Sequence, residues 1–172
     1  MVPVEAPAEI PLLNFSFAQL GKNAWALFSH VFLQLPDIFF NSIPAFGPLY
    51  HVSIPFVFVG IIVFTIQLFR EKNIEKQTRM LALWGCLVTG IWVGLITYEV
   101  NINRVNIIFY PIILLCAYGI GLAVRKWKKL WPVVAAAYGI SSILFFGTYF
   151  TTYAEESREY YNKDFMEAVA AA

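Results

Sequence analysis

The chain reads as an all-α polytopic membrane protein, a bundle of four transmembrane helices preceded by an amphipathic interface helix. Three observations predict this. Four apolar stretches, Val52–Phe69, Met80–Tyr98, Ile107–Val124 and Trp131–Phe150, each run for about 18–20 residues, enough at 1.5 Å per residue to cross a hydrocarbon core of roughly 30 Å. Hydrophobic residues make up 59% of the sequence and charged ones 13%, against about 25% charged in a soluble domain. The basic residues also alternate between loops: four in the first (Arg70, Lys72, Lys76, Arg79), one in the second (Arg104) and four in the third (Arg125, Lys126, Lys128, Lys129).

Short loops rich in Lys and Arg stay on the cytoplasmic side. If all four stretches span, loops one and three share a face, and they are the two basic ones. The expected topology therefore places both termini and Asn101–Asn106 outside, in the plasma membrane. A net charge of +1 carried by loop anchors gives no basic stripe and no reason to expect nucleic acid. Cys86 and Cys116 fall inside spans and offer neither a disulfide framework nor metal-ligand spacing, so no metal is expected.

Residues 1–51 form an extracytoplasmic segment. Met1–Leu13 carries three prolines, two glutamates and no basic residue, which is unlike a signal peptide. The simpler expectation is a longer parent chain with further transmembrane helices upstream, against which this bundle would pack. Asn14–Leu35 is expected to be helical. Phe17, Leu20, Ala24, Phe28, Val31 and Leu35 share one arc, and Gln19, Lys22, Asn23, His30 and Gln34 the other. With Trp25 in it, such a helix should lie in the interface plane, because its polar arc is too wide to bury unsatisfied in hydrocarbon. Pro36 ends it. Asp37 reads as a solvated turn carboxylate. Asn41–Pro55, with Pro44, Gly47, Pro48 and Pro55, reads as a rigid lead into the first span, with Tyr50 and His51 at headgroup level.

Within the spans, Gly90 and Gly94 have the small-xxx-small spacing of close helix packing. Gly119, Gly121, Ala135–Ala137 and Gly139 offer further small surfaces. Pro111 and Pro132 suit first-turn positions. No span centre is charged, which argues against a proton relay, an ion pathway or a voltage sensor. Thr151–Ala172 forms a charged tail that stops within a helix-forming pattern, as the start of a following segment or as a frayed end.

The chemically unusual stretch is Tyr98–Asn106, with one cation, one anion and three amides in an outer turn. A guanidinium there can grip two phosphate oxygens at once while asparagines donate beside it. Arg104 could equally pair with Glu99 or anchor to lipid phosphates. The string Gly47-Pro-Leu-Tyr50, then Ile54-Pro55, a basic loop, and Asn101-Ile-Asn-Arg-Val-Asn106 before Pro111 resembles the later membrane region of bacterial GT-C glycosyltransferases. Within that superfamily it is most similar to the protein O-mannosyltransferase-like group, over roughly Phe39–Val124. The resemblance implies transfer of a sugar from a polyprenyl-phosphate carrier to an extracytoplasmic acceptor. It also implies that Asn101, Asn103, Arg104 and Asn106 bind the donor. The family's catalytic acid lies in an early outer loop for which this sequence has no counterpart, and Asp37 does not match it. The expectation is thus a donor-side module, with no cofactor beyond a polyprenyl-phosphate-linked sugar and with membrane lipid as its other partner. A small four-span scaffold or assembly protein is the alternative. Half of a transporter fits less well, since the first two spans do not echo the last two.

Overall fold

A computed structural model describes residues 15–37, 41–43 and 46–170. The expectation for Met1–Leu13, the place of Pro44 and the last two alanines lie outside the described residues. The rest is helical, with no strand among the described residues: α1 (Phe17–Phe28), α2 (Ile54–Arg70), α3 (Ile74–Ile96), α4 (Phe109–Lys126), α5 (Trp131–Thr148) and α6 (Ala154–Ala170). Four helical stretches are long and apolar enough to cross a membrane: His51–Arg70, Ile74–Ile96, Asn106–Lys126 and Lys128–Tyr160. The chain is an all-α membrane bundle.

Local chemistry sets the helix ends. Asn73 caps α3 by accepting from the Lys76 amide at 3.1 Å, and Glu71 Oε1 takes the Asn73 amide at 2.9 Å. The helix therefore starts six residues before the hydrophobic stretch does, because hydropathy marks the edge of hydrocarbon while the cap marks where the backbone turns. Pro55, Pro111 and Pro132 sit in the first turns of α2, α4 and α5, where their missing amide costs no helical bond. A wide π-turn over Tyr149–Tyr153 joins α5 to α6. The fourth stretch, 33 residues of continuous helix, would be about 50 Å long and exceeds a hydrocarbon core.

The core is built around α4. Ile112, Leu115 and Pro111 of α4 are fully enclosed, together with Val57 of α2 and Val105 of the outer loop. The closest approach is between α2 and α4. A Cβ on Gly60 would stand 1.9 Å from the Leu115 carbonyl oxygen, and one on Gly119 would stand 2.1 Å from that of Phe56. Only hydrogen fits at either position, and the two backbones touch. The Gly90–Gly94 pair is used within the chain: Gly90 faces Ile108 and Gly94 faces Leu27. By contrast a Cβ on Gly139 would meet nothing within 4 Å, and α5 is largely exposed.

The N-terminal helix is amphipathic, and most of its polar arc turns inward, Lys22 alone of the five being exposed. Asn23, His30 and Gln34 are buried against the protein, while Phe17, Trp25, Phe28 and Leu35 are exposed. The polar groups find partners there. The Asn23 amide donates to the carbonyls of Leu95 (2.8 Å) and Thr97 (2.7 Å), and that of Gln19 donates to Tyr98 (2.8 Å). These carbonyls lie at and just past the end of α3, where the helix cannot satisfy its own acceptors. Regular α-helix stops at Phe28, and a π-turn carries the chain to Leu33. Gln34 then adopts a left-handed backbone (φ 54°), its amide returning to the carbonyls of His30 and Val31. Its Oε1 accepts the Leu49 amide at 2.7 Å, fastening the end of α1 to the lead into α2.

Candidate functional site

The turn between α3 and α4 is shaped by its own side chains. Val100 and Val105 are buried and pin it to the bundle, Val105 completely. Between them Asn101 Oδ1 accepts the Arg104 amide at 2.9 Å, an Asx-type turn, and the Asn101 carbonyl accepts the Val105 amide at 3.1 Å. The Arg104 guanidinium folds across this turn and donates from Nη1 to the Glu99 carbonyl at 3.0 Å. Its contact is with the main chain of Glu99 rather than with the carboxylate. A guanidinium has five N–H donors, so one internal bond leaves most of the fork for an outside acceptor.

A second segment holds the turn from below. Asp37 is half-buried, and its Oδ2 accepts the Ile102 amide at 2.7 Å and the Asn41 amide at 3.0 Å. The Asp37 amide in turn donates to Ser42 Oγ at 2.8 Å, and the Asn103 amide donates to Asn41 Oδ1. Asp37 is therefore no solvated turn carboxylate. It clasps the outer loop to the segment that follows α1, and sequence reasoning missed it because its partner lies 65 residues away.

Asn106 leads into a cavity of about 480 Å³. Asn41, Ser42 and Asn106 supply its polar lining, and Phe109, Phe145 and Tyr149 much of the rest. A second cavity of about 440 Å³ shares Gly47, Pro48, Ile113 and Phe145 with the first and continues between α4 and α5. Its wall carries a small hydroxyl and thiol cluster: Ser53 Oγ and Tyr138 OH at 2.7 Å, Cys116 Sγ at 3.4 Å from that same hydroxyl, and Tyr50 OH donating to Ser142 Oγ at 3.3 Å. Through these shared residues the two cavities adjoin as a groove with Asn41, Ser42 and Asn106 in the first part, the Ser53, Tyr138, Cys116 and Tyr50 cluster in the second, and aromatic and aliphatic side chains between.

Of the four residues singled out from sequence, only Asn106 lines this groove. Asn101 shapes the turn, Asn103 ties it to Asn41, and Arg104 stands exposed on the loop and lines neither cavity. The groove lies among residues 41–43 and 46–50, the α3–α4 turn, α4 and α5. His51 is exposed at the start of α2 and lines neither cavity. Among the described residues no group of three or more His, Cys, Asp or Glu is placed to hold a metal ion. Compared with known proteins, the chain matches no family model, no curated protein and no solved structure.

Proposed function

We propose that this chain is the donor-side membrane module of a glycosyltransferase that uses a polyprenyl-phosphate-linked sugar at the outer face of the plasma membrane. The observation that carries the reading is the pair of adjoining cavities. A phosphorylated isoprenoid has a polar head and a long flexible apolar tail; Asn41, Ser42 and Asn106 line the first cavity, Ile113 and Phe145 line both, and Leu49, Ala117 and Ile120 extend the apolar wall of the second. Binding sites for such molecules are mostly apolar, with a few placed polar groups that fix orientation. Arg104, exposed on the same turn as Asn106 with most of its donors unspent, would take the phosphate, and Asn106 would donate alongside it. Asp37 would keep the turn in place. In this reading the catalytic acid is not one of these residues, and both termini and the Asn101–Asn106 turn face outward, as the charge of the loops supports.

The test is binding of undecaprenyl phosphate to the purified chain in detergent. A bidentate guanidinium–phosphate contact is worth roughly 1.5–3 kcal/mol, so Arg104→Gln should weaken binding by about 10- to 150-fold. Arg104→Lys should recover only part, having the charge without the fork. Ile113→Trp, which fills the groove where the two cavities meet, should weaken binding with the headgroup contacts intact. Equal affinity across wild type and all three variants would remove this reading.

One observation favours a second reading, a non-catalytic scaffold. The Ala135, Ala136 and Gly139 face of α5 is exposed and open, as a surface for another helix would be. Under that reading none of the three substitutions alters lipid-phosphate binding, and Gly139→Leu disrupts assembly instead.

A further inference from the structure

We infer that the basic end of α4 forms an anionic-phospholipid site, separate from the groove of the proposed function. A cavity of about 650 Å³ lies between α2 and the end of α4. Phe56, Val59 and Val63 of α2 give one apolar wall, and Leu122 and Leu130 give the other. Arg125, Lys126 and Trp127, where α4 ends, line it as well. This is the arrangement an acyl chain and its headgroup require together: aliphatic surface along the helices, and cations where the helix leaves hydrocarbon.

The cations are held rather than loose. Arg125 folds back along α4, its Nε donating to the Gly121 carbonyl at 3.2 Å, which leaves its terminal nitrogens beside the cavity. Lys126 Nζ sits 4.8 Å from the centre of the Trp127 ring, a cation–π contact that keeps the ammonium next to Arg125. The carbonyls that end a helix also favour cations at this position. A phosphodiester would therefore meet two ordered cations and an indole ring. Neighbouring Lys128 and Lys129 point to the contrast: they belong to the same basic loop and do not line the cavity. Charge complementarity selects an anionic headgroup over a zwitterionic one, and the apolar walls select a lipid over a free anion.

Native mass spectrometry on the intact chain in detergent, titrated with dioleoyl phosphatidylglycerol or dioleoyl phosphatidylcholine, tests this. Wild type should retain phosphatidylglycerol preferentially, and the preference should fall with added salt. At about fivefold per cation near a membrane surface, Arg125→Gln with Lys126→Gln should reduce retention by roughly 30-fold. Lys128→Gln with Lys129→Gln, an equal loss of charge outside the cavity, should leave it nearly unchanged. Val59→Trp, which narrows the apolar part and keeps every cation, should also reduce it. Three results would overturn the site: equal losses for the two charge pairs, retention unaffected by Val59→Trp, or full displacement of the lipid by millimolar inorganic phosphate. Wild type showing no preference between the two lipids would overturn it without any variant.

Discussion

The side-chain amide of Asn23, in the middle of α1, donates to the carbonyl of Thr97, just past the end of α3, at 2.7 Å, and to that of Leu95 at 2.8 Å. One amide thus closes two acceptors that the terminating helix leaves open, in a place where Asn23 is 2% exposed and water has little access. The relationship explains why an amphipathic helix beside a membrane turns its polar arc toward protein. Phe17, Ala24, Phe28 and Leu35 of its apolar arc are then left exposed, while Val31 joins the core.

Asn23→Leu should destabilise the bundle, by about 1–3 kcal/mol, because it strands buried carbonyls with no replacement donor. Asn23→Asp should be worse, since a carboxylate brings a further acceptor against acceptors. Thermal unfolding in detergent, followed by tryptophan fluorescence, reads both. A midpoint for Asn23→Leu at or above wild type would show that the carbonyls find other donors.

Substitution at the α2–α4 contact should separate two glycines from a third. Gly60→Ala and Gly119→Ala each press a methyl into a carbonyl oxygen of the facing helix, and the loss should lie at or beyond the upper end of the roughly 1–3 kcal/mol usual for overpacking. Gly139→Ala meets nothing and should lose no stability. Parallel unfolding curves decide it, and equal effects at Gly60 and Gly139 would contradict the close approach.

Removing the clasp under the outer turn should loosen that turn alone. Asp37→Ala leaves the Ile102 amide without its acceptor, so deuterium exchange in a peptide covering Asn101–Asn106 should speed up several-fold, while peptides from the middle of α4 stay protected. Asp37→Asn retains an oxygen that can accept from Ile102 and should keep most of the protection. No change in exchange for Asp37→Ala would mean that Val100 and Val105 hold the turn without it.

The charge of the loops predicts sidedness. On a background of Cys86→Ala and Cys116→Ala, a cysteine placed at Asn103 should react with a membrane-impermeant maleimide in intact cells, and one at Lys128 should react only after lysis. The reverse pattern would invert the orientation and take the proposed donor site to the other face.

Some of this protein is written in local chemistry and could be read directly. Length and hydropathy give the four spans because a helix satisfies its backbone within one segment, which hydrocarbon demands. Pro111 and Pro132 mark helix starts for the same local reason, whereas the start of α3 behind the Asn73 cap, six residues before the apolar stretch, left no mark in hydropathy. The density of amides around Arg104 marked the outer turn as unusual, and Asn101 builds it from within three residues. What a linear reading does not contain is which surface meets which. Gly60 gave no signal beyond being a glycine in an apolar run, yet with Gly119 it fixes how α2 meets α4. Asp37, Asn41 and Ser42 belong to the outer turn only because the chain returns to it after more than 60 residues. Periodicity could say that Asn23, His30 and Gln34 share a face, but not that the face turns inward. That depends on unsatisfied carbonyls at the end of another helix, a demand that exists only once α3 has stopped beside α1.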